Sequence, residues 1–203
     1  IAAIADEGSA DAGLQSLAGI QGDPESVQRL VSAVAAAANG DQLGALLRHL
    51  LSAEEVPRSI TVFAPIIDRT KRDGTKPSGV GKLLANSVRD ASGLINDPAW
   101  ASGVATMAET WAASELEPLL SETLEKISAD PSKSTLRAEL VSAIGAMKSP
   151  TSNAMIDKLV SSSDADLRFA AVSAMVKHRP EQSVASVISL LQSHQPFDEA
   201  SDL

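Results

Sequence analysis

Apolar residues recur every three to four positions along most of the chain, and glycine, proline or paired polar residues interrupt them at short intervals. This period is that of an amphipathic helix, whereas a half-buried strand alternates every second residue. The breakers divide the chain into about eleven short predicted helices. The stretch from Pro57 to Ile67 is the hardest to assign, because Val62 and Phe63 suit a strand and Pro65 lies inside it. Since no second strand candidate could pair with it, we predict a kinked helix there.

A repeat stands out in the C-terminal part of the sequence. The stretch 163–192 has the pattern of two helices joined at Pro180, and a weaker copy lies 31 residues upstream, so that Leu136-Arg137 corresponds to Leu167-Arg168. Pro150 and Pro180 each stand where a second helix should begin. Self-similarity at such a period is typical of solenoids, in which no unit buries its apolar face alone. We therefore predict an all-α fold, a right-handed α-α superhelix of about five helical hairpins.

Working back from the repeat places the whole chain, 1–203, in a single domain. Residues 1–20 are expected to form an N-terminal cap or a remnant helix, and 194–203 a frayed tail. A start at Ile1 rather than methionine is typical of a processed product or an excised fragment. Open solenoid ends need covering, so exposed apolar surface or self-association is expected around Ile1, Ile4 and Leu14. The predicted hairpins cover 24–53, 57–91, 98–128, 134–162 and 164–192.

The run from Asp164 to Met175 resembles the first helix of HEAT and HEAT-like repeats, in which an acidic residue precedes a hydrophobic-Arg pair. The run from Thr135 to Ile144 resembles it less closely and lacks the Asp. The resemblance is good over 134–192 and weaker over 24–129. It implies a ladder in which the Arg of one repeat reaches the acid of a neighbouring repeat. It also implies partner recognition, since HEAT arrays are mostly binding scaffolds, without naming the partner.

Composition and charge narrow the possible functions. Hydrophobic residues make up 44% of the chain but aromatic residues only 2%, so small and aliphatic side chains must fill the core, as in closely packed helices. A formal net charge of −9 disfavours binding to nucleic acid or to anionic membranes. The lack of cysteine excludes disulfides and thiolate chemistry. No apolar run is long enough for a transmembrane helix, so we expect a soluble protein, with the bacterial cell envelope or secretion as alternatives.

The run from Lys76 to Leu83 comes close to the phosphate loop of nucleotide-binding proteins. Such a loop needs Gly where Lys76 stands, a hydroxyl where Leu83 stands, and a buried parallel strand before it. The sequence departs from the pattern at both positions and offers no sheet. A glycine-rich helix start is therefore the preferred interpretation.

Five basic residues cluster within fourteen positions of this acidic chain. A solvated loop balanced by Asp68 and Asp73 is the interpretation that the local charges favour. The alternative is a positive patch that docks an acidic partner or a phosphate. The candidate partner-binding residues are Arg69, Lys71, Arg72, Lys76 and Lys82.

The tryptophans and histidines offer no clear site. Trp100 and Trp111 are three helical turns apart on one face, which indicates buried core, with a ligand-stacking pair as the alternative. His49, His178 and His194 are isolated and lack metal-site spacing, which counts against the HEAT-like di-iron hydroxylases. We expect His178 to cap a helix or form a hydrogen bond in its interhelical corner.

The predicted function is a non-catalytic protein–protein interaction scaffold whose partner is a protein or peptide, with no cofactor, no metal, no nucleic acid, no membrane insertion and possible association through the solenoid ends. The alternative is an accessory repeat module excised from a larger, possibly secreted bacterial oxidoreductase. An enzymatic alternative is a HEAT-like nucleic-acid repair glycosylase or a bilin lyase. Charge opposes the glycosylase, and no motif supports the lyase.

Overall fold

The computed structural model describes residues 24–52, 60–88 and 91–193. These residues form eleven α-helices and contain no strand, which confirms the all-α prediction for the described part of the chain. Short 3₁₀ turns, Ser114–Leu116 and Pro131–Lys133, precede α7 and α8. The helices are α1 Pro24–Ala37, α2 Gly40–Ser52, α3 Ile60–Asp73, α4 Val80–Ser87, α5 Ala91–Asn96, α6 Pro98–Trp111, α7 Glu117–Ile127, α8 Ser134–Met147, α9 Pro150–Val160, α10 Ala165–His178 and α11 Pro180–Ser193.

Local sequence signals fix where several helices begin. The Asp97 carboxylate accepts a hydrogen bond of 3.0 Å from the amide of Trp100 at the start of α6. The Asp164 carboxylate accepts one of 3.0 Å from the amide of Leu167 at the start of α10. Proline stands at the first position of α6, α9 and α11, where its missing amide hydrogen has no helical partner to lose. The starts of the second helices at Pro150 and Pro180 therefore agree with the sequence prediction.

The helices pack in two layers. The first layer stacks α1, α3, α6, α8 and α10, each against the next. In the second layer α4 packs on α2 and α5 packs on α7, while α9 lies against both α8 and α10 and α11 against α10. This arrangement confirms the predicted helical solenoid.

Small residues let the first layer pack tightly. A Cβ atom built at Gly145 of α8 would lie 3.1 Å from the Cβ atom of Ala174 and 3.3 Å from the ring of His178, both on α10. Ala143 and Ala171 on the same two helices are fully buried. Because no large side chain separates these helices, their backbones approach closely, and a core poor in aromatic residues can still be densely packed.

The two tryptophans are core residues, each 3% exposed, as the sequence predicted. The ring of Trp100 lies 5.8 Å from the ring of Phe63, centroid to centroid. The indole nitrogen of Trp111 donates a hydrogen bond of 2.9 Å to the buried hydroxyl of Thr70. Both contacts join α6 to α3, so the tryptophans hold two neighbouring helices of the first layer together.

The segment with strand-like composition is helical. α3 runs Ile60–Asp73 with Pro65 inside it, and Val62, Phe63, Ile66 and Ile67 lie on its buried side, at helical spacing. The sequence pattern did not predict α5, whose six residues are too few to show a helical period.

Several expectations fall outside the described residues. These are the helix predicted within 1–20, the apolar surface around Ile1, Ile4 and Leu14, the start at Pro57 and the tail 194–203. Among the helices that are described, none combines the length and the apolar character needed to cross a bilayer.

Candidate functional site

The last two hairpins are joined by a buried ion pair. The side chain of Arg137 is 3% exposed, and its Nη1 atom donates to the Asp164 carboxylate at 2.6 Å and to the Ser128 carbonyl oxygen at 2.7 Å. A second nitrogen, Nη2, lies 3.5 Å from the Asp166 carboxylate. The amide of Leu167 and the Arg137 guanidinium together hold the pKa of Asp164 below its ordinary value. The predicted contact between the Arg of one repeat and the acid of the next is confirmed at this junction.

The five candidate basic residues do not share one environment. Arg69 is largely enclosed, because its Nε atom pairs with Asp73 at 3.0 Å and its Nη1 atom donates to the Ala36 carbonyl oxygen at 2.8 Å. Arg69 therefore ties α3 to the end of α1. Lys71, Arg72, Lys76 and Lys82 are exposed.

Two of these lysines line a cavity that also receives residues from far along the chain. Its volume is about 610 Å³, and it lies where α3, the loop after it, α6 and α10 meet. We call it the cationic cavity, because it contains three lysines and one carboxylate. Its lining residues are Thr70, Lys71, Gly74, Lys76, Thr106, Glu109, Thr110, Lys177 and His178.

Helix ends account for the position of the cationic cavity. α3 ends at Asp73 before Gly74, whose φ of 78° is left-handed, and α6 ends at Trp111. α10 ends at His178, so three helices of the first layer point their C-terminal ends toward this region. The Nζ atom of Lys76 lies 3.4 Å from the carbonyl oxygen of Trp111. A helix C-terminus carries partial negative charge, which favours lysine side chains nearby.

Glu109 is the acidic centre of this cavity. It forms an ion pair with Lys177 and accepts a hydrogen bond of 3.0 Å from the hydroxyl of Ser142 on α8. The Nε2 atom of His178 lies 3.6 Å from the same carboxylate. One carboxylate thus links α6, α8 and α10, and the cavity lining as a whole contains three lysines and this single carboxylate.

His178 differs from the expectation. Its Nε2 atom is buried and has no hydrogen-bond partner, and Arg179 rather than His178 stands at the C-cap of α10. Burial lowers the pKa of His178, and the attraction of Glu109 opposes that shift only in part. Sequence spacing could not reveal this, because the close packing of α8 on α10 at Gly145 is what encloses the ring.

The run from Lys76 to Leu83, which comes close to a phosphate-loop sequence, has no room for a phosphate at the start of α4. The amide of Ser78 donates to the Gly40 carbonyl oxygen at 2.8 Å, and α4 begins after Gly79, whose φ is 67°. The Glu115 carboxylate packs against Gly81 so closely that a Cβ atom there would collide with it. A negative group therefore already covers the first turn of α4, where a phosphate would have to bind.

A second cavity, of about 760 Å³, opens between α7 and α9. Serine and apolar side chains dominate its lining, including Leu124, Met155 and Leu159. It carries no comparable excess of either charge. No cluster of three or more metal-ligating side chains occurs among the described residues.

The last helices of the array are similar to a known repeat family. The model of the HEAT repeat family matches residues 116–201, which contain α7 to α11 and the Arg137–Asp164 pair. No curated protein and no solved structure matches the chain. HEAT repeats commonly serve as scaffolds for protein interactions. Over residues 116–201, the chain is therefore similar to the HEAT repeat family.

Proposed function

We propose that this chain is a non-catalytic protein–protein interaction scaffold that binds an acidic segment of a partner in the cationic cavity. The observation that carries the proposal is that Lys71, Lys76 and Lys177 line one cavity whose lining holds a single carboxylate, Glu109. In a chain with a formal net charge of −9, a cavity lined by three lysines and one carboxylate is a local excess of positively charged side chains. The scaffold role that is common among HEAT repeats supports the same conclusion.

The cationic cavity has a suitable size and chemistry for one or two acidic side chains. Ligand cavities are commonly about 300–1,000 Å³, and the volume of about 610 Å³ lies within that range. Lysine ammonium groups donate to carboxylates from several directions, so they suit an acidic peptide without a fixed geometry.

Binding at this site should be electrostatic and sensitive to salt. Each exposed ion pair contributes only about 0–1 kcal/mol, so several must act together to give a useful affinity. Lys71 and Lys76 keep the role that the sequence proposed for them, and Lys177 joins them. Arg72 and Lys82 remain exposed and would add long-range attraction. Arg69 is assigned a structural role, because Asp73 and the end of α1 use its donors.

The test compares three forms of the folded chain. The first is wild type, the second carries Lys71→Ser, Lys76→Ser and Lys177→Ser, and the matched control is a triple variant with the same net charge. The control changes lysines that do not line the cationic cavity, namely Lys126→Ser, Lys133→Ser and Lys158→Ser. Each is titrated with a fluorescent peptide rich in Asp and Glu, and with the same peptide carrying Asn and Gln instead.

Wild type and the control should bind the acidic peptide, with an affinity that falls as salt rises. The cavity variant should bind it at least tenfold more weakly, a difference of about 1.4 kcal/mol. Equal weakening in both variants would show a general charge effect and refute the proposed site. Unchanged binding by the cavity variant would refute it as well.

A further inference from the structure

A third cavity, near the start of α10, is lined by an arginine and by no acidic residue. Its volume is about 520 Å³, and it lies between the end of α9, the connection that follows α9, α10 and α11. Val160 and Ala185 are its apolar lining residues. We call it the serine cavity, because its polar lining residues are one arginine and four serines: Arg168, Ser161, Ser162, Ser186 and Ser189.

Arg168 and its counterpart in the preceding repeat, Arg137, are anchored in the same way. The Nη1 atom of Arg168 donates to the Ser162 carbonyl oxygen at 2.8 Å, and that of Arg137 donates to the Ser128 carbonyl oxygen at 2.7 Å. Each carbonyl group lies in the connection that precedes the arginine's own helix. In both residues the Nε atom is buried without a hydrogen-bond partner. The remaining donors of the two guanidinium groups can therefore be compared directly.

The remaining donors of Arg137 meet two carboxylates. Its Nη1 atom also donates to Asp164, and its Nη2 atom lies 3.5 Å from the Asp166 carboxylate. Arg168 forms no ion pair within the described ranges, and the bond to Ser162 is its one side-chain hydrogen bond there. A partly buried guanidinium is stabilised by an anion, and the serine cavity offers the space for one beside Arg168.

The serine hydroxyls add donors to this cavity. The hydroxyls of Ser161, Ser186 and Ser189 make no hydrogen bond to any described residue. The Oγ atom of Ser162 accepts the amide of Asp164 at 3.1 Å, which leaves the hydroxyl hydrogen of Ser162 to donate elsewhere. The lining thus combines one positive charge with four hydroxyl groups and no competing carboxylate.

We propose that the serine cavity binds a phosphate group, with Arg168 as its cation and the serine hydroxyls as further donors. A phosphate monoester carries a charge of about −1.5 to −2 at pH 7 and three acceptor oxygens. A single phosphate thus matches the charge of the two carboxylates that contact Arg137. Arginine binds phosphate through paired N–H donors, and the hydroxyls suit the remaining oxygen. A carboxylate, with one charge and two oxygens, would use fewer of these donors.

The size of the serine cavity fits a phosphate ester. Ligand cavities are commonly about 300–1,000 Å³, so a volume of about 520 Å³ has room for the phosphate and part of the group that carries it. A small phosphate ester and a phosphorylated side chain present the same chemistry, and the experiment distinguishes them. The serine cavity shares no lining residue with the cationic cavity, so this inference does not depend on the proposed function.

The test follows the Nε–Hε signals of the arginines by NMR in the nitrogen-labelled full chain at constant ionic strength. The probes are inorganic phosphate, a short capped phosphoserine peptide, and the same peptide with Asp in place of phosphoserine. Arg168→Gln identifies the Arg168 signal, and Arg168→Lys does so if the first variant fails to fold. Ser186→Ala with Ser189→Ala removes two donors. The matched control is Ser32→Ala with Ser173→Ala, two exposed serines outside the cavity.

The Arg168 signal should shift and saturate at millimolar inorganic phosphate, and the signal of the exposed Arg72 should not. The variant at Ser186 and Ser189 should bind phosphate about tenfold more weakly, and the control should match wild type. Tighter binding of the phosphopeptide than of inorganic phosphate would identify a phosphorylated segment as the ligand, and equal binding a small phosphate compound. The absence of a saturable shift would overturn the proposal. An equal response to the Asp peptide, or an affinity that the loss of both serines leaves unchanged, would overturn it as well.

Discussion

Replacing Asp164 by Asn separates the charge of the buried ion pair from the helix cap. Asp164 accepts the amide of Leu167 through Oδ1 and the guanidinium of Arg137 through Oδ2. Asparagine is as good an N-cap as aspartate, so the start of α10 keeps its acceptor. What disappears is the negative charge beside a guanidinium whose side chain is 3% exposed.

The structure sets the size of the effect. A hydrogen bond to a charged group contributes about 1.5–3 kcal/mol, and breaking a buried ion pair costs about 3–5 kcal/mol. The carboxylate of Asp164 is 35% exposed, so solvent screens the pair and the lower part of this range applies. We expect Asp164→Asn to lower the free energy of unfolding by about 2 kcal/mol, roughly a thirtyfold change in the folding equilibrium.

Urea unfolding of both proteins at neutral pH measures this difference, and Asp166→Asn serves as the control. Asp166 is 69% exposed and lies 3.5 Å from Arg137, so its loss should cost under about 0.5 kcal/mol. If Asp164→Asn stays within about 0.5 kcal/mol of wild type, the buried pair does not stabilise the junction and the reasoning fails.

The same pair predicts a pH dependence. The folded-state pKa of Asp164 is lowered, so its contribution to stability is present above its unfolded pKa of about 3.9 and is lost as the pH falls through the folded value. Wild type should therefore lose more stability in acid than Asp164→Asn. Parallel acid transitions would contradict the assignment.

Further substitutions test the packing of the first layer. Gly145→Val should lower the free energy of unfolding in urea by about 2 kcal/mol, because the valine side chain would collide with Ala174. Gly103→Ala should be neutral or stabilising, because the nearest atom, on Ile60, lies 3.5 Å from the added Cβ atom. Equal costs for the two substitutions would contradict the close approach of α8 and α10. Trp111→Phe should cost about 1–2 kcal/mol, because it removes the hydrogen bond to Thr70. A fully stable phenylalanine variant would show that this bond contributes nothing.

Helix starts can be predicted from the sequence where a few neighbouring residues determine them. Proline at the first helical position and Asp at the N-cap mark helix starts within three residues, so Pro150 and Asp164 place α9 and α10 closely. The contact between Arg137 and Asp164 could also be expected from the sequence, because the resemblance to HEAT repeats implies it.

The cationic cavity could not be predicted in the same way. Glu109 and Lys177 are 68 residues apart and meet only because α6, α8 and α10 stack in order. Gly145 permits that close approach, but nothing in the neighbouring sequence distinguishes it from a glycine that lies in a helix without such a contact. For Arg69 the sequence suggested a binding role that the structure does not favour. Counting nearby charges could not reveal that Asp73 and the carbonyl oxygen of Ala36, at the end of α1, accept hydrogen bonds or ion pairs from its guanidinium.

The most direct test of the central claim is to map where an acidic peptide touches the chain. Photoreactive benzoylphenylalanine replaces Thr110 in the cationic cavity, and in a second protein it replaces Thr151 in the cavity between α7 and α9. Each is irradiated with the acidic peptide, and the adducts are identified by mass spectrometry. The account predicts adducts from position 110 that disappear when Lys71, Lys76 and Lys177 are changed to Ser, and few from position 151. Equal adducts at both positions, or adducts at 110 that survive the loss of the three lysines, would contradict it.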